Sequence, residues 1–345
     1  MAKLIENRKG AHIDICTKGE VEYCKSAGFE DIDFIHNALP DLSPEGIDTT
    51  CHLFNKRLSA PIFIEPITGG YGKAREINRK LAAAAEKAGV AFFLGSQRAM
   101  IENPSLASTY KVRDVAPNAL IFGNIGIAQL KPENFHKIES AIETVEADGL
   151  AVHLNALQEA LQPEGNRDFK HSLHDLERAC HHFKFPVIVK ETGAGISRGI
   201  AHMLTARGVR LVDVAGAGGT SWSKVEYMRG QSVPGFEEWG IPTVQCIAEC
   251  ASVMPTAASG GVRSGIDVAK SLALGADYAG AALPFLRAQN PLAEIEKWKL
   301  QLRTVMFLTG CRSLRELRHT RILITGKSAE LMRLRHVDPS QYARR

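Results

Sequence analysis

These 345 residues lack a disulfide framework, a membrane-length apolar run and any block of a single charge sign. Cys16, Cys24, Cys51, Cys180, Cys246, Cys250 and Cys311 form no C-x-x-C pair and keep no regular spacing. An odd, scattered set reads as free thiols in a reducing compartment rather than as paired staples. No signal-type apolar segment opens the chain and no run is long enough for a bilayer, so a cytoplasmic protein with no membrane partner is expected. Lys and Arg number 42 against 38 Asp and Glu, a formal net charge of +4 spread evenly along the chain. That balance argues against nucleic acid as a partner. Low-complexity tracts are missing, as is any repeat beyond a strand–helix period. With 45% hydrophobic and 23% charged residues, an ordinary globular chain remains.

What is present is a set of eight short apolar runs, at residues 61–64, 90–94, 119–123, 149–153, 186–190, 210–214, 256–259 and 276–280. Helical patterns separate them, as at residues 77–85 with their alanine run 82–85. Near-continuous apolar runs indicate parallel strands covered on both faces. Eight of them alternating with helices predict an α/β fold, a (β/α)8 TIM barrel. The expected organisation is an N-terminal extension over 1–60, the barrel over 61–310 and a C-terminal tail over 311–345. The connection after the sixth strand, residues 218–240, is the longest and reads as a lid over the barrel mouth.

Barrels of this kind do their chemistry on the loops after the strands, and here those loops are polar or glycine-rich. Thr68, Gly69 and Gly70 follow the first run, Gly95, Ser96, Gln97 and Arg98 the second, and Asn124 the third. The fourth ends in His153, Asn155, Gln158 and Glu159, the densest set of polar groups at any strand end. Burying such groups without partners costs about 1–3 kcal/mol each, which marks a site. Gly260, Gly261, Val262 and Arg263 end the seventh strand and open a helix, where backbone amides and the helix dipole favour a phosphate. Lys190, at the end of the fifth, reads as a Schiff-base nucleophile, an ion-pair partner of Glu191, or a fixed charge beside a cofactor such as a flavin. Glu159 is a hard oxygen ligand of the kind magnesium uses together with substrate phosphates. His171, His174, His181 and His182 fall on a polar helix with no ligand spacing and read as solvated.

Taken in order, Arg8-Lys9, Thr68-Gly69-Gly70, Gly95-Ser96-Gln97-Arg98, His153-x-Asn155-x-x-Gln158-Glu159, Val189-Lys190-Glu191, Gly218-Gly219-Thr220 and Gly260-Gly261-Val262-Arg263 resemble the type 2 isopentenyl-diphosphate isomerases, the FMN-dependent form. The resemblance runs over residues 8–286. It implies an isomerase of isoprene biosynthesis that interconverts isopentenyl and dimethylallyl diphosphates on reduced FMN. NADPH or NADH would supply electrons, magnesium would hold the diphosphate, and the chain would assemble as a homo-oligomer, a tetramer or larger. It further implies that Thr68, Gly69, Ser96, Asn124, Lys190, Thr220, Gly261, Val262, Arg263, Ala281 and Ala282 bind FMN. Arg8, Lys9, Ser96, Gln97, Arg98 and Gln158 would hold substrate, and Glu159 the metal. Gln158 would act catalytically with His153 and Asn155, the last two on the diphosphate side.

Three positions depart from the family pattern: Ile67 where methionine is usual, Glu65 where a small residue is, and Thr192 for an aliphatic. A carboxylate near the flavin would disfavour its anionic reduced state, so Glu65 either alters the redox poise or points into the helix layer. Two rival readings exist. An FMN oxidoreductase of the hydroxy-acid or dihydroorotate kind would leave Gln158, Glu159, Arg8 and Lys9 without a task. A flavin- or phosphate-binding protein without catalysis would leave the buried polar strand ends unexplained.

Overall fold

The computed structural model describes residues 2–230 and 233–345, with side chains from Lys9 onward. Three short strands come first: β1 (Ile32–Phe34), β2 (Cys51–Leu53) and β3 (Lys56–Leu58). The barrel follows as β4 (Ile62–Ile64), β5 (Ala91–Phe93), β6 (Ile121–Gly126), β7 (Gly149–Leu154), β8 (Val187–Glu191), β9 (Val212–Asp213), β10 (Thr256–Ala258) and β11 (Tyr278–Ala281). A last strand, β12 (Ile322–Ile324), lies near the C-terminus. Each of the eight expected runs is a barrel strand, all pairings are parallel, and β11 closes on β4 with Ala279 opposite Ile62. The fold is a (β/α)8 barrel.

Side chains alternate across a strand with period two, which fills the barrel in layers. Phe63, Phe93, Phe122 and Tyr278 point inward at the lower level, with ring centroids 4.8–5.2 Å apart along the chain of contacts. The β2–β3 hairpin closes this end, setting Phe54 against Phe122 and accepting a hydrogen bond from Tyr278 Oη at the His52 carbonyl, 2.6 Å. Such aromatic pairs add about 0.5–1.5 kcal/mol each beyond their burial. Two residues further along the same strands the inward positions are Glu65, Asn124, His153, Lys190, Asp213 and Ser259, with Gly95 and Gly280 between them. A dry aromatic plug therefore supports a polar floor.

The two chain ends pack onto the barrel and each other. The helix Ala2–Lys18 sets Ile15 and Cys16 against Val225, Leu283 and Leu286. β1 pairs antiparallel with β12, Ile32 opposite Ile324. Residues 311–345, expected as a tail, contain the helices Leu314–Arg318, Gly326–Leu334 and Ser340–Ala343, and the Ser328 amide donates to Asp31 at 2.8 Å. The long connection after β9 is the segment expected as a lid. It contains the helix Trp222–Met228, and the extension ties it down. Tyr23 Oη donates to the Trp239 carbonyl at 2.9 Å, and Glu238 accepts the amides of Cys24 and Lys25 at 2.9 and 2.7 Å. Every cysteine is free. Among the described residues no helix is long and apolar enough to cross a membrane.

Candidate active site

One cleft at the C-terminal face gathers most of the singled-out side chains. Its floor is the polar layer. Lys190 Nζ stands 3.3 Å from Asp213 Oδ2 and 3.6 Å from Glu65 Oε2, and donates to the Glu191 carbonyl at 2.7 Å. The Glu191 carboxylate turns away and accepts the amides of Thr192 and Gly193 at 2.6 Å, so the ion-pair partners of Lys190 are Asp213 and Glu65, not Glu191. Burial pulls the Lys190 ammonium down, but Asp213 and Glu65 outweigh it and hold its pKa above the ordinary value. Glu65 points into the barrel, which removes the reading that places it in the helix layer. Across the floor, His153 Nδ1 lies 2.6 Å from Asn124 Oδ1. An amide oxygen only accepts, so Nδ1 carries a proton. Burial, with Lys190 and Lys9, pushes the His153 pKa down to about 3. His153 is therefore a neutral acceptor and no cation for a diphosphate.

One side of the cleft is glycine-rich. The loops after β9 and β10 pass so closely that a Cβ on Gly219 would stand 2.5 Å from the Gly261 amide nitrogen. Gly261 has φ +78°, a conformation open to glycine. Thr220, Gly261, Arg263, Ala281 and Ala282 face this space with Thr68 and Ser96, whereas Val262 is fully buried and Gly69 packs on Tyr110. The following helix, Gly265–Ala273, does not offer a bare N-terminus. Ser264 caps it, and the Asp267 carboxylate accepts the Arg263 amide at 2.9 Å. Anion binding here falls to the glycine loops and the Arg263 guanidinium, which bonds Glu22.

The opposite side is built after β7. Asn155 ends the strand and precedes the helix Ala156–Leu161. Its Nδ2 donates to Glu159 Oε1 at 3.0 Å, and the other Glu159 oxygen accepts the Asn166 amide. That leaves Asn155 Oδ1 buried with no partner, beside a carboxylate. Among the described residues no three His, Cys, Asp or Glu converge as a ready metal cage. Gln158 Nε2 donates to Glu226 Oε1 at 3.1 Å, Gln162 donates to the same oxygen, and His12 Nε2 lies 3.1 Å from it. Burial would raise the Glu226 pKa, but His12, Gln158 and Gln162 outweigh it and hold the carboxyl at about 2.

The N-terminal helix crosses the mouth. Lys9 Nζ donates to the Ser96 carbonyl at 2.8 Å and to Tyr110 Oη at 3.0 Å, and the His12 ring meets Trp222 edge-on at 5.1 Å. Arg98 lines the cleft with its Nε on Glu102 at 2.8 Å. The Arg8 side chain lies outside the described residues. Gln97 does not reach the cleft: it is buried, donating to the Ala141 carbonyl at 3.2 Å and accepting the Asn124 amide at 3.0 Å, so it braces β6 instead of meeting substrate. Sequence reasoning passed over Asp213, Trp222 and Glu226 and gave His12 no role. A signal for Asp213 existed, an acid inside an apolar strand; Glu226 and His12 meet across 214 positions and left none.

A family model described as FMN-dependent dehydrogenase matches residues 128–324. An isopentenyl-diphosphate delta-isomerase of Archaeoglobus fulgidus is 45% identical, over 94% of this chain and 97% of its own. That of Methanothermobacter thermautotrophicus is 43% identical, over 99% and 100%. Among solved structures, mandelate oxidase with (S)-2-phenylpropionate superposes with TM-score 0.65 at 18% identity, covering 94% of this chain and 97% of that one. Mandelate oxidase with a difluorinated hydroxy acid gives 0.65 at 18%, covering 92% and 95%. At that identity the structural likeness speaks for the fold alone.

Proposed function

The chain belongs to the isopentenyl-diphosphate delta-isomerase family, and from that premise we propose that it interconverts isopentenyl and dimethylallyl diphosphates in this cleft, over FMN. One observation carries the reading: a glycine cradle, a buried cation and a pair of oxygen donors share one cleft, under a helix that brings Lys9 and His12 to it. The residues suit FMN. The Gly219–Gly261 approach and Arg263 present amides and a guanidinium to a phosphate. Lys190 offers a fixed positive charge to a ring that turns anionic on reduction. Thr68, Ser96, Asn124, Thr220, Ala281 and Ala282 complete the proposed FMN set, with Gly69 and Val262 packed behind it as support. Bound and reduced, with NADPH or NADH as electron source, FMN supplies an electron-rich face that stabilises a cation. Glu159 and the unpartnered Asn155 Oδ1 are hard oxygens, the donors magnesium takes together with substrate phosphates.

The chain's own groups do the remaining work. Lys9 and Arg98, with Arg8 assigned beside them, meet the diphosphate and fix the alkene end. Gln158 is held by Glu226 and orients the carbon that gains or loses a proton. Glu226, held ionised, keeps Gln158 and the His12 imidazole in place, and the imidazole is the group positioned to give and take that proton. Trp222 and the N-terminal helix keep water from a tertiary cation. An FMN oxidoreductase of the hydroxy-acid kind has less support, because the histidine on the floor is a weak base with its pKa near 3. Anaerobic protein given FMN and one equivalent of NADPH tests the proposal. Many dimethylallyl diphosphates per NADPH are expected; one product per NADPH consumed would overturn it.

A further inference from the structure

The polar floor holds more acid than base. Asp213 and Glu65 share a single ammonium, that of Lys190, at 3.3 and 3.6 Å, and all three residues are buried. The position of Glu65 is built and not incidental. Its amide donates to the Ala281 carbonyl at 3.0 Å, and Gly280 beside it makes room for the carboxyl, since a Cβ there would stand 2.6 Å from Oε1. Asp213 has a further donor in Ser259 Oγ at 2.8 Å. Glu65 has none: both its oxygens are buried without a hydrogen-bond partner while it is ionised.

The other titratable groups around the floor offer it no relief. His153 is held neutral, the Glu191 carboxylate is spent on backbone amides, and Lys9 is up at the mouth on Ser96 and Tyr110. A proton on Glu65 turns it from a second anion into a donor that Asp213 can accept. Burial and the Asp213 charge accordingly raise its pKa to about 8, against the opposing pull of Lys190.

We infer that Glu65 is a positioning residue for charge, which carries a proton whenever the group bound above Lys190 is an anion, so that flavin reduction draws a proton onto this carboxyl wherever it is still ionised. The inference rests on the FMN reading above. Two electrons from an external reductant and one proton convert FMN to its anionic reduced form. Where Glu65 starts ionised, its carboxylate takes a second proton from solvent and forms one O–H bond, so two protons enter with two electrons. The floor then never holds three negative groups around one lysine.

The test is a potentiometric titration of the FMN-loaded protein with dithionite and mediator dyes, from about pH 6 to about pH 10. The midpoint should fall with pH at the one-proton slope, and the slope should double above about pH 8. Glu65→Gln should keep the shallow slope throughout and part from the wild type only on the alkaline side. A wild-type slope that stays constant, or a Glu65→Gln variant with the same break, would overturn the inference. Infrared difference spectra of the wild type alone give a second reading. Reduction at alkaline pH should add one carboxylic-acid C=O band, and its absence would be equally fatal. A protein that takes up no flavin fails differently, by removing the FMN reading itself.

Discussion

Replacing Glu159 with glutamine changes the proposed metal site by one charge at constant shape. In the native protein the carboxylate accepts Asn155 Nδ2 at 3.0 Å and, through its second oxygen, the Asn166 amide. A glutamine keeps one acceptor and turns an NH2 group toward one of these two donors. The lost buried hydrogen bond costs about 1–3 kcal/mol, confined to the segments that flank the helix Ala156–Leu161. Toward a divalent cation the loss is electrostatic, and each 1.4 kcal/mol is about a tenfold change in affinity. The half-saturating magnesium concentration should therefore rise by about ten- to a hundredfold, with most of the rate recovered at saturating metal. Gln158→Ala, one residue away, should behave otherwise. Glu226 keeps Gln162 and His12, so the fold survives, but the group proposed to orient the reacting carbon is gone. Its kcat should drop about 10²-fold with no rescue by magnesium. Initial rates on chelator-treated protein, measured across a magnesium series, separate the two. An unchanged magnesium requirement in Glu159→Gln, or metal rescue of Gln158→Ala, would refute the division of roles.

Three further outcomes follow from the geometry. Lys9→Ala should raise KM for isopentenyl diphosphate about tenfold or more, the size of a charge-assisted contact of about 1.5–3 kcal/mol, while FMN stays bound; an unchanged KM would return the helix to a structural role. Gly219→Ala should abolish flavin binding without unfolding the barrel, because its Cβ would meet backbone at 2.5 Å; a yellow Gly219→Ala protein would contradict the cradle. Glu226→Gln should lose stability that depends on pH. The folded pKa is about 2 against an ordinary 4.5, so the carboxylate, held by Gln158, Gln162, His12 and Arg229, contributes fully above about pH 4.5 and fades as pH falls toward 2, to a total of about 3 kcal/mol. Denaturation at neutral pH should show the variant weaker by that order, and the gap should close in acid; a gap that persists there would point to lost packing instead.

Much of the architecture was legible because its signals are local. A strand buried on both faces must be apolar along its length, and the eight runs betray themselves without knowledge of their neighbours. The polar residues after each run were visible for the same reason, and most of them do line one cleft. Orientation was harder to read. Gln97 lies between Ser96 and Arg98, both at the cleft, yet it turns to the Ala141 carbonyl behind β6. Gln97 caps the helix Arg98–Glu102, beyond the reach of strand alternation, and only the packing of the closed barrel says which way its side chain turns.

The sequence by itself determined the strand count, the end of the barrel at which the polar residues gather, and the residue types available there, since each depends on a few adjacent positions. The tertiary structure alone decided who meets whom. Glu65 and Asp213 share Lys190 because period-two alternation on three separate strands brings them to one level of the barrel. His12 reaches Glu226, and β1 pairs with β12, because the chain's ends fold back over a closed surface. Contacts of that range are selected by packing over hundreds of positions, and no window of the chain contains both partners.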